Sequence, residues 1–412
     1  MSSEFEALRV GLIGCGGMGV RHARAVAEMH LRGCRAVEIV AVCDLDAARR
    51  APIVAMIHEA CGKAPAEYET LAALLDDPCV EAVDIVLPTS LHHTAILAAL
   101  EAGKHVQVEK PLALTVSACD LIVAAAARAN RVVAVAENYR RIASNRAIGG
   151  LIRAGAFGPL DAMFVRNLAS PEPPVQPGGK PVESPLWYRD RTRAGGYHVL
   201  EMGVHEADLQ HFWFGPVKTV QASTHLFARD RAGQTNPSED MLTATFSFAD
   251  GFVSNIFFCS TIRGFEAADR LLVGRDAVIA SGAWHAWQGG EAHFEGQGRR
   301  TTEDLVSGWL EGLCAEERAR LLPAGAWEEG RPSIATEPLT YGVGLAIHDF
   351  ARAARTGAQP EINAELARRA VATCCAMLES AELGTAVEVE RVLSGEIRAA
   401  QAPLNRAIGL DA

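Results

Sequence analysis

The apolar run Leu8-Arg9-Val10-Gly11-Leu12-Ile13 leads straight into Gly14-Cys15-Gly16-Gly17-Met18-Gly19, and a helix-forming stretch continues through Arg24 and Met29. This order confines the start of the chain to a strand, a tight turn and a helix. Each glycine in such a turn has a separate physical job. Gly14 permits the turn, Gly16 lets backbone N–H groups approach a pyrophosphate, Gly19 lets the helix pack on the strand, and the helix N-terminus offers unpaired donors. Gly14, Gly16, Gly17, Met18 and Gly19 are therefore candidate ligands of a dinucleotide.

A second apolar strand, Val37 to Val42, ends at Asp44, 25 residues beyond Gly19. An acid at that strand end can accept hydrogen bonds from the adenosine ribose hydroxyls and would repel a 2′-phosphate, which favours NAD over NADP. A glycine turn in a non-binding α/β protein, with Asp44 merely solvated, is the competing reading. The strand before, the helix after and the acid beyond weigh against it.

At 412 residues, with 49% hydrophobic and 22% charged residues, the chain has the composition of a soluble globular protein of about two domains. Its net charge of −11 disfavours nucleic acid or an anionic membrane surface as a general partner. The ten cysteines show no C-x-x-C pair and no His/Cys cluster at zinc spacing, so they read as reduced, mostly buried thiols and no metal site is expected. The first apolar run is too short for a signal-peptide core and no stretch approaches the ~18 apolar residues of a membrane span, which points to the cytoplasm.

Beyond the turn, strands and helices keep alternating. Tyr68 to Leu75 reads as a short helix, Ala82 to Leu87 as a strand, Thr94 to Ala102 as a helix closed by Gly103, and His105 to Val108 as a strand. Ser117 to Ala129 and Val132 to Ala136 add a helix and a strand, completing a doubly wound parallel sheet by Tyr139. The expected division is 1–139 for this domain and 140–412 for a second one. There, Ser144 to Ala154 reads as a helix and Asp161 to Leu168 as a strand, while Pro171 to Pro185 reads as an irregular loop. Val217 to Phe227, Met241 to Phe248 and Phe252 to Cys259 are β-rich, with Ala249-Asp250-Gly251 closing a hairpin, so the second domain is α+β with a large, open, mostly antiparallel sheet. His285 to Pro332 shows no clear period and reads as an insertion of unknown role; Pro338 to Arg355 and Ala364 to Leu383 read as late helices.

Two further places carry chemistry. Glu109-Lys110-Pro111 falls at the C-terminal end of the fifth strand, where ligands of open α/β sheets gather, and a lysine there can stabilise developing negative charge on a substrate oxygen. Position alone fits a surface lysine equally well. In the segment from Ala194 to Asp208, a helix would place Glu201, His205 and Asp208 at i, i+4 and i+7 on one face, with the carboxylates tuning His205 as a proton acceptor. A solvated charged face with one incidental histidine is the bland alternative.

The set and order of these motifs resemble one family. The glycine turn is followed by Pro88-Thr89-Ser90-Leu91-His92, by Glu101-Ala102-Gly103-Lys104-His105-Val106, by Glu109-Lys110-Pro111, and by a Gly-Gly segment leading to Gly203-x-His205-x-x-Asp208. This is similar to the Gfo/Idh/MocA oxidoreductases, specifically from Leu8 to about Gly215 and more loosely to about Val389. The resemblance implies a Rossmann domain, then an α/β domain whose open sheet forms homodimer or homotetramer contacts. It also implies NAD(P)-dependent oxidation or reduction at a secondary alcohol or ketone of a sugar, glycoside or cyclitol. Carried over by position, Lys110 binds substrate, His205 shuttles the proton, and Glu201 stands where the family usually has Asp. The cofactor set extends to Pro88, His92, Glu109 and Lys110, and the Lys110–Pro111 bond is expected to be cis. Asn138 and Arg140 are candidates to face the cleft, although Arg140 fits a salt-bridged surface position as well. Trp187, Tyr188 and Tyr197 are candidates to stack on a sugar face, or simply to pack. Asp208 completes the substrate set. Two alternatives share the scaffold: a redox-neutral NAD-dependent glycosidase or glycoside-oxidising partner of a lyase, and a nucleotide-sensing regulator without chemistry.

Overall fold

A computed structural model describes residues 5–169, 186–227, 236–262, 266–283, 285–287, 289–324 and 338–410. The chain forms two compact units. The first comprises Met1–Ala113, Cys119–Ile142 and Gly312–Arg368; the second comprises Leu114–Ala118, Ala143–Glu311 and Arg369–Ala412. The first unit thus extends beyond the expected 1–139, because the chain returns to it near the end.

In the first unit, β1 (Leu8–Ile13), α1 (Gly17–Leu31), β2 (Val37–Cys43), α2 (Ala47–Cys61), β3 (Ala66–Tyr68), α3 (Leu71–Leu75), β4 (Ala82–Ile85), α4 (His92–Glu101), β5 (His105–Val108), α5 (Val116–Ala129) and β6 (Val133–Val135) alternate. The sheet order is β3-β2-β1-β4-β5-β6 and every pairing is parallel. That is the doubly wound Rossmann order, with the switch in strand direction of travel at β1 beside β4. Its strands are nearly all apolar because helices cover both faces: Leu12, Val42, Val83, Ile85, Val106 and Val108 are fully buried. The expected helix over 68–75 is shorter: Tyr68 closes the strand β3, and the helix is α3 alone, which Thr70 caps by accepting from the amide of Ala73.

The return segment explains the extra piece of this unit. It holds α11 (Pro338–Thr356), which packs on α1 and β1. Arg355 near its end donates to both oxygens of Glu81 and to the carbonyls of Glu6 and Ala7. Arg141 donates to Glu361 and Asp349.

The second unit begins with α6 (Ala143–Arg153), β7 (Leu160–Leu168), the single turn α7 (Arg191–Ala194) and α8 (Gly203–Phe214). Then follow β8 (Thr219–His225), β9 (Met241–Ser247), β10 (Val253–Cys259), β11 (Ala267–Gly274), β12 (Ala277–Ser281), β13 (Glu291–Phe294) and β14 (Gly298–Thr301), the helix α9 (Thr302–Gly312), and finally most of α12 (Ala364–Leu383) and β15 (Val387–Glu388), while α10 (Ala315–Leu321) falls in the first unit. The sheet order is β14-β13-β12-β11-β7-β10-β9-β8-β15, antiparallel throughout except for β7 beside β10. The Ala249-Asp250-Gly251 hairpin joins β9 to β10 as expected. The segment read as an unpatterned insertion contributes β13 and β14 to the sheet edge, then α9 and α10. The expected loop over 171–185 lies outside the described residues.

Alternation along these strands separates two faces. Leu242, Phe246, Ile256, Phe258, Leu272 and Ile279 are fully buried, whereas Phe164, Val253 and Val278 remain exposed on the opposite side. No described helix is long and apolar enough to cross a membrane.

Candidate functional site

The turn after β1 is built for close approach. Gly14 has φ +95°, and a Cβ there would lie 2.2 Å from the Val86 carbonyl oxygen. A Cβ on Gly19 would lie 2.0 Å from the carbonyl oxygen of Gly14, so only glycine lets α1 meet the turn. At Gly16 and Gly17, by contrast, an added Cβ would meet nothing within 4 Å. That open cradle sits at the N-terminus of α1, where no side chain caps the helix and no acid occupies the first turn. Its amides thus fit the phosphates of a dinucleotide.

Asp44 closes the cradle. Its Oδ2 accepts from the Cys15 amide at 2.8 Å and its Oδ1 from the Asp46 amide at 3.0 Å, leaving each oxygen further acceptor capacity for ribose hydroxyls. The cysteines beside it are inert: burial and Asp44 push the Cys15 thiol up to about 12 and Cys43 to about 11.

At the ends of β4 and β5, two expected cofactor contacts turn inward. The ring of His92, 1% exposed, has Nδ1 2.8 Å from the Pro111 carbonyl oxygen and Nε2 2.8 Å from that of Leu87. Glu109 is likewise buried; its Oε1 lies 3.0 Å from His22 Nε2 and its Oε2 accepts from the Lys110 amide. Both side chains therefore brace the turn from within. Pro88 opens the single turn Thr89–Leu91, and the Lys110–Pro111 bond is cis. Asn138 is buried beneath Gly342, and its Oδ1 has no hydrogen-bond partner. Arg140 is buried in the turn Tyr139–Arg141, while the neighbouring Arg141 holds the ion pairs with Asp349 and Glu361.

In the second unit the expected regular helix through Glu201 is corrected. Tyr197–Met202 forms a π-helical turn, and α8 begins only at Gly203. The carbonyl of Gly196 accepts from both Leu200 and Glu201, which is how the wider turn starts. The extra residue rotates Glu201 relative to His205 and Asp208, so simple i, i+4, i+7 spacing does not apply across the junction. All three are buried, at 2%, 6% and 3% exposure.

Glu239, from the segment before β9, supports this turn by accepting from the Val199 amide at 2.8 Å. Its carboxyl is pushed up by burial, against that amide's pull. Gly196 has φ +124°, and a Cβ there would sit 3.0 Å from both Glu239 oxygens. His198 Nε2 lies 3.1 Å from Ser260 Oγ.

Next to His205 on α8, Glu206 forms a fully buried ion pair with Arg270 of β11. The Arg270 guanidinium lies 5.0 Å from the Trp213 ring and 5.5 Å from that of Trp287. The segment after β12 also brings in His285, whose ring is held down to about 4 by burial, with Arg270 and His205 adding to the effect. His285 and Glu239 carry no mark in the sequence because they come from segments without helical or strand period, and Arg270 because a lone arginine on the inner face of a strand has no signature until Glu206 is packed against it. Trp187, Tyr188 and Tyr197 form one cluster: the first two stack at 4.0 Å, and Tyr197 meets Tyr188 edge-on at 6.2 Å.

A doubly wound domain with this turn and acid, in one chain with a large mixed sheet, defines the class of dinucleotide-dependent oxidoreductases. The chain belongs to the Gfo/Idh/MocA oxidoreductase family: residues 8–137 match its NAD-binding Rossmann fold and residues 151–389 its C-terminal alpha/beta domain. Among curated relatives, the 1,5-anhydro-D-fructose reductase of Ensifer adhaerens is 26% identical over 77% of this chain and 82% of that enzyme. The levoglucosan dehydrogenase of Pseudarthrobacter phenanthrenivorans is 30% identical over 57% of this chain and 58% of the relative. The solved structure of a levoglucosan dehydrogenase, in complex with NADH and levoglucosan, superposes with a TM-score of 0.76 at 22% identity, covering 93% of this chain and 100% of that one.

Proposed function

We propose that this protein is an NAD-dependent dehydrogenase or reductase acting at a secondary alcohol or ketone of a sugar, glycoside or cyclitol. The observation that carries the reading is the glycine turn closed by Asp44 in a chain of this family that also holds Lys110 at the end of β5. The relatives named above support the sugar-like substrate class.

Gly14, Gly16, Gly17, Met18 and Gly19 hold the pyrophosphate and Asp44 the ribose. The bound nicotinamide supplies the hydride acceptor or donor. Lys110 donates a hydrogen bond to the substrate oxygen and stabilises its developing negative charge. His205 takes the hydroxyl proton, with Glu201 orienting the ring and Asp208 contributing to substrate binding. Trp187 and Tyr197 offer apolar faces to the sugar, and Asn138 and Arg140 offer polar contacts. The enzyme works in the cytoplasm as a homodimer or homotetramer joined through the open face of its second sheet.

Replacing Lys110 with Ala tests the assignment. Turnover falls by about a thousandfold while NADH affinity stays within about threefold of wild type; unchanged turnover removes Lys110 from the chemistry.

A further inference from the structure

Beneath the Lys110 turn lies a buried charged network that the chemistry above does not use. His22, on the inner side of α1 one turn past Gly19, is fully enclosed. Its Nδ1 lies 2.7 Å from Asp84 Oδ2 of β4, and its Nε2 lies 3.0 Å from Glu109 Oε1 at the end of β5. Ionised carboxylates only accept, so both contacts are hydrogen bonds together only when the ring carries two protons. The other oxygens are engaged too: Asp84 Oδ1 accepts from Gln107 Nε2 at 3.1 Å, and Glu109 Oε2 accepts from the Lys110 backbone amide at 3.0 Å. Burial works against the charged ring, but Asp84 and Glu109 outweigh it and raise His22 to about 10.

We propose that His22 is a positioning residue for Lys110: as an imidazolium it ties the phosphate-binding helix α1 to β4 and β5, and through Glu109 it fixes the backbone that carries the Lys110 amine. The carboxylates cannot hold this arrangement alone. Without the ring, two buried acids face each other across the space it occupied, and one must take up a proton or move. A response at Glu109 changes the acceptor offered to the Lys110 amide, and with the ring gone Glu109 loses its tie to α1 in either case. His92 grips the same turn from the other side through the Pro111 carbonyl, so the lysine is held at both flanks. The inference builds on the catalytic reading of Lys110, yet it concerns where the amine sits and can be tested without any substrate.

The chain has five lysines, of which Lys104 is anchored to the carbonyls of Asp77 and Val80 and serves as an internal reference. Acetic anhydride labelling of wild type and His22→Gln, quantified by mass spectrometry at Lys110 relative to Lys104, reads the placement of the amine directly. The expected result is a change in that ratio of more than about twofold in folded His22→Gln, as a displaced ammonium exchanges one set of neighbours for another. A ratio within about twofold of wild type in a folded variant overturns the proposal.

A second measurement covers a variant that does not fold. Histidine-selective 15N spectra of the wild-type protein at pH about 8.5, two units above an ordinary imidazole, should show His22 with both ring nitrogens protonated, its signals assigned by their change in Glu109→Gln. A neutral tautomer at that pH contradicts the bridge. If Lys110→Ala retains turnover while both measurements succeed, the positioning stands and only the catalytic role of the lysine falls.

Discussion

The backbone amide of Cys15, inside the glycine turn, donates a 2.8 Å hydrogen bond to Oδ2 of Asp44 at the end of β2. One carboxylate therefore shapes the glycine turn and, in the proposed function, also holds the ribose. The two residues stand 29 positions apart, and in the proposed function a change at Asp44 touches both phosphate and ribose binding.

Asp44→Ala removes a charged acceptor worth about 1.5–3 kcal/mol, so NADH affinity should fall roughly ten- to a hundredfold. NADPH, no longer repelled by the acid, should lose much less, which narrows the preference between the two. Fluorescence titration of both cofactors reads the outcome. Equal loss for both would mean that Asp44 acts only on the turn.

The first unit was largely legible because its parallel strands are buried on both faces and appear as short apolar runs, such as Val106 to Val108. Where the reading failed, the cause was local. Ala66 to Tyr68 became a strand through pairing with Ala41 to Cys43, which no property of three residues announces. The π turn at Tyr197 has no compositional mark, since it arises from Gly196 offering one carbonyl to two amides. His22 lies 62 residues from Asp84 and 87 from Glu109, so its partners became visible only when three adjacent elements were assembled. The glycine turn, Lys110 and His205 stood out because their chemistry is concentrated in short segments.

Gly196→Ala strikes the π turn itself. A non-glycine residue at φ +124° costs about 1–3 kcal/mol of backbone strain. The new Cβ also crowds both Glu239 oxygens, whose carboxylate caps the segment leading to Glu201 and His205. Gly155→Ala is the control, because Gly155 has φ +71° with nothing within 4 Å of its added Cβ. Thermal melts should show the larger drop in Gly196→Ala, accompanied by lost turnover. Equal drops and equal activity would remove the special role of the Gly196–Glu239 contact.

His105 supplies a pH signature. Its Nδ1 accepts from the Val132 amide at 3.1 Å, and burial, together with Arg131 and Arg355, lowers its pKa from 6.5 to about 4. A histidine depressed in the folded state stabilises above its unfolded pKa, and that contribution disappears as pH falls through the folded value. The melting temperature of wild type should therefore drop between pH 6.5 and about 4 more steeply than that of His105→Asn, which has no titrating ring. Parallel curves for the two proteins would contradict this.

The open face of the second sheet predicts association. Phe164, 48% exposed, lies opposite Leu271 of β11, with Val253 and Val278 exposed on neighbouring strands. Phe164→Glu puts a charge in the middle of that apolar face and should convert a dimer or tetramer to smaller species in sedimentation velocity. A wild-type protein that sediments as a monomer would refute the assembly.

The most direct measurement is NADH formation by the purified protein with NAD against cyclitols, free hexoses, and O- and C-glycosides. The account predicts net NADH with at least one of these classes, and markedly less reduced cofactor when NADP replaces NAD. Tight NAD binding with no net NADH from any class, whether or not a glycoside is cleaved, would contradict a dehydrogenase and favour a redox-neutral reaction or a sensor.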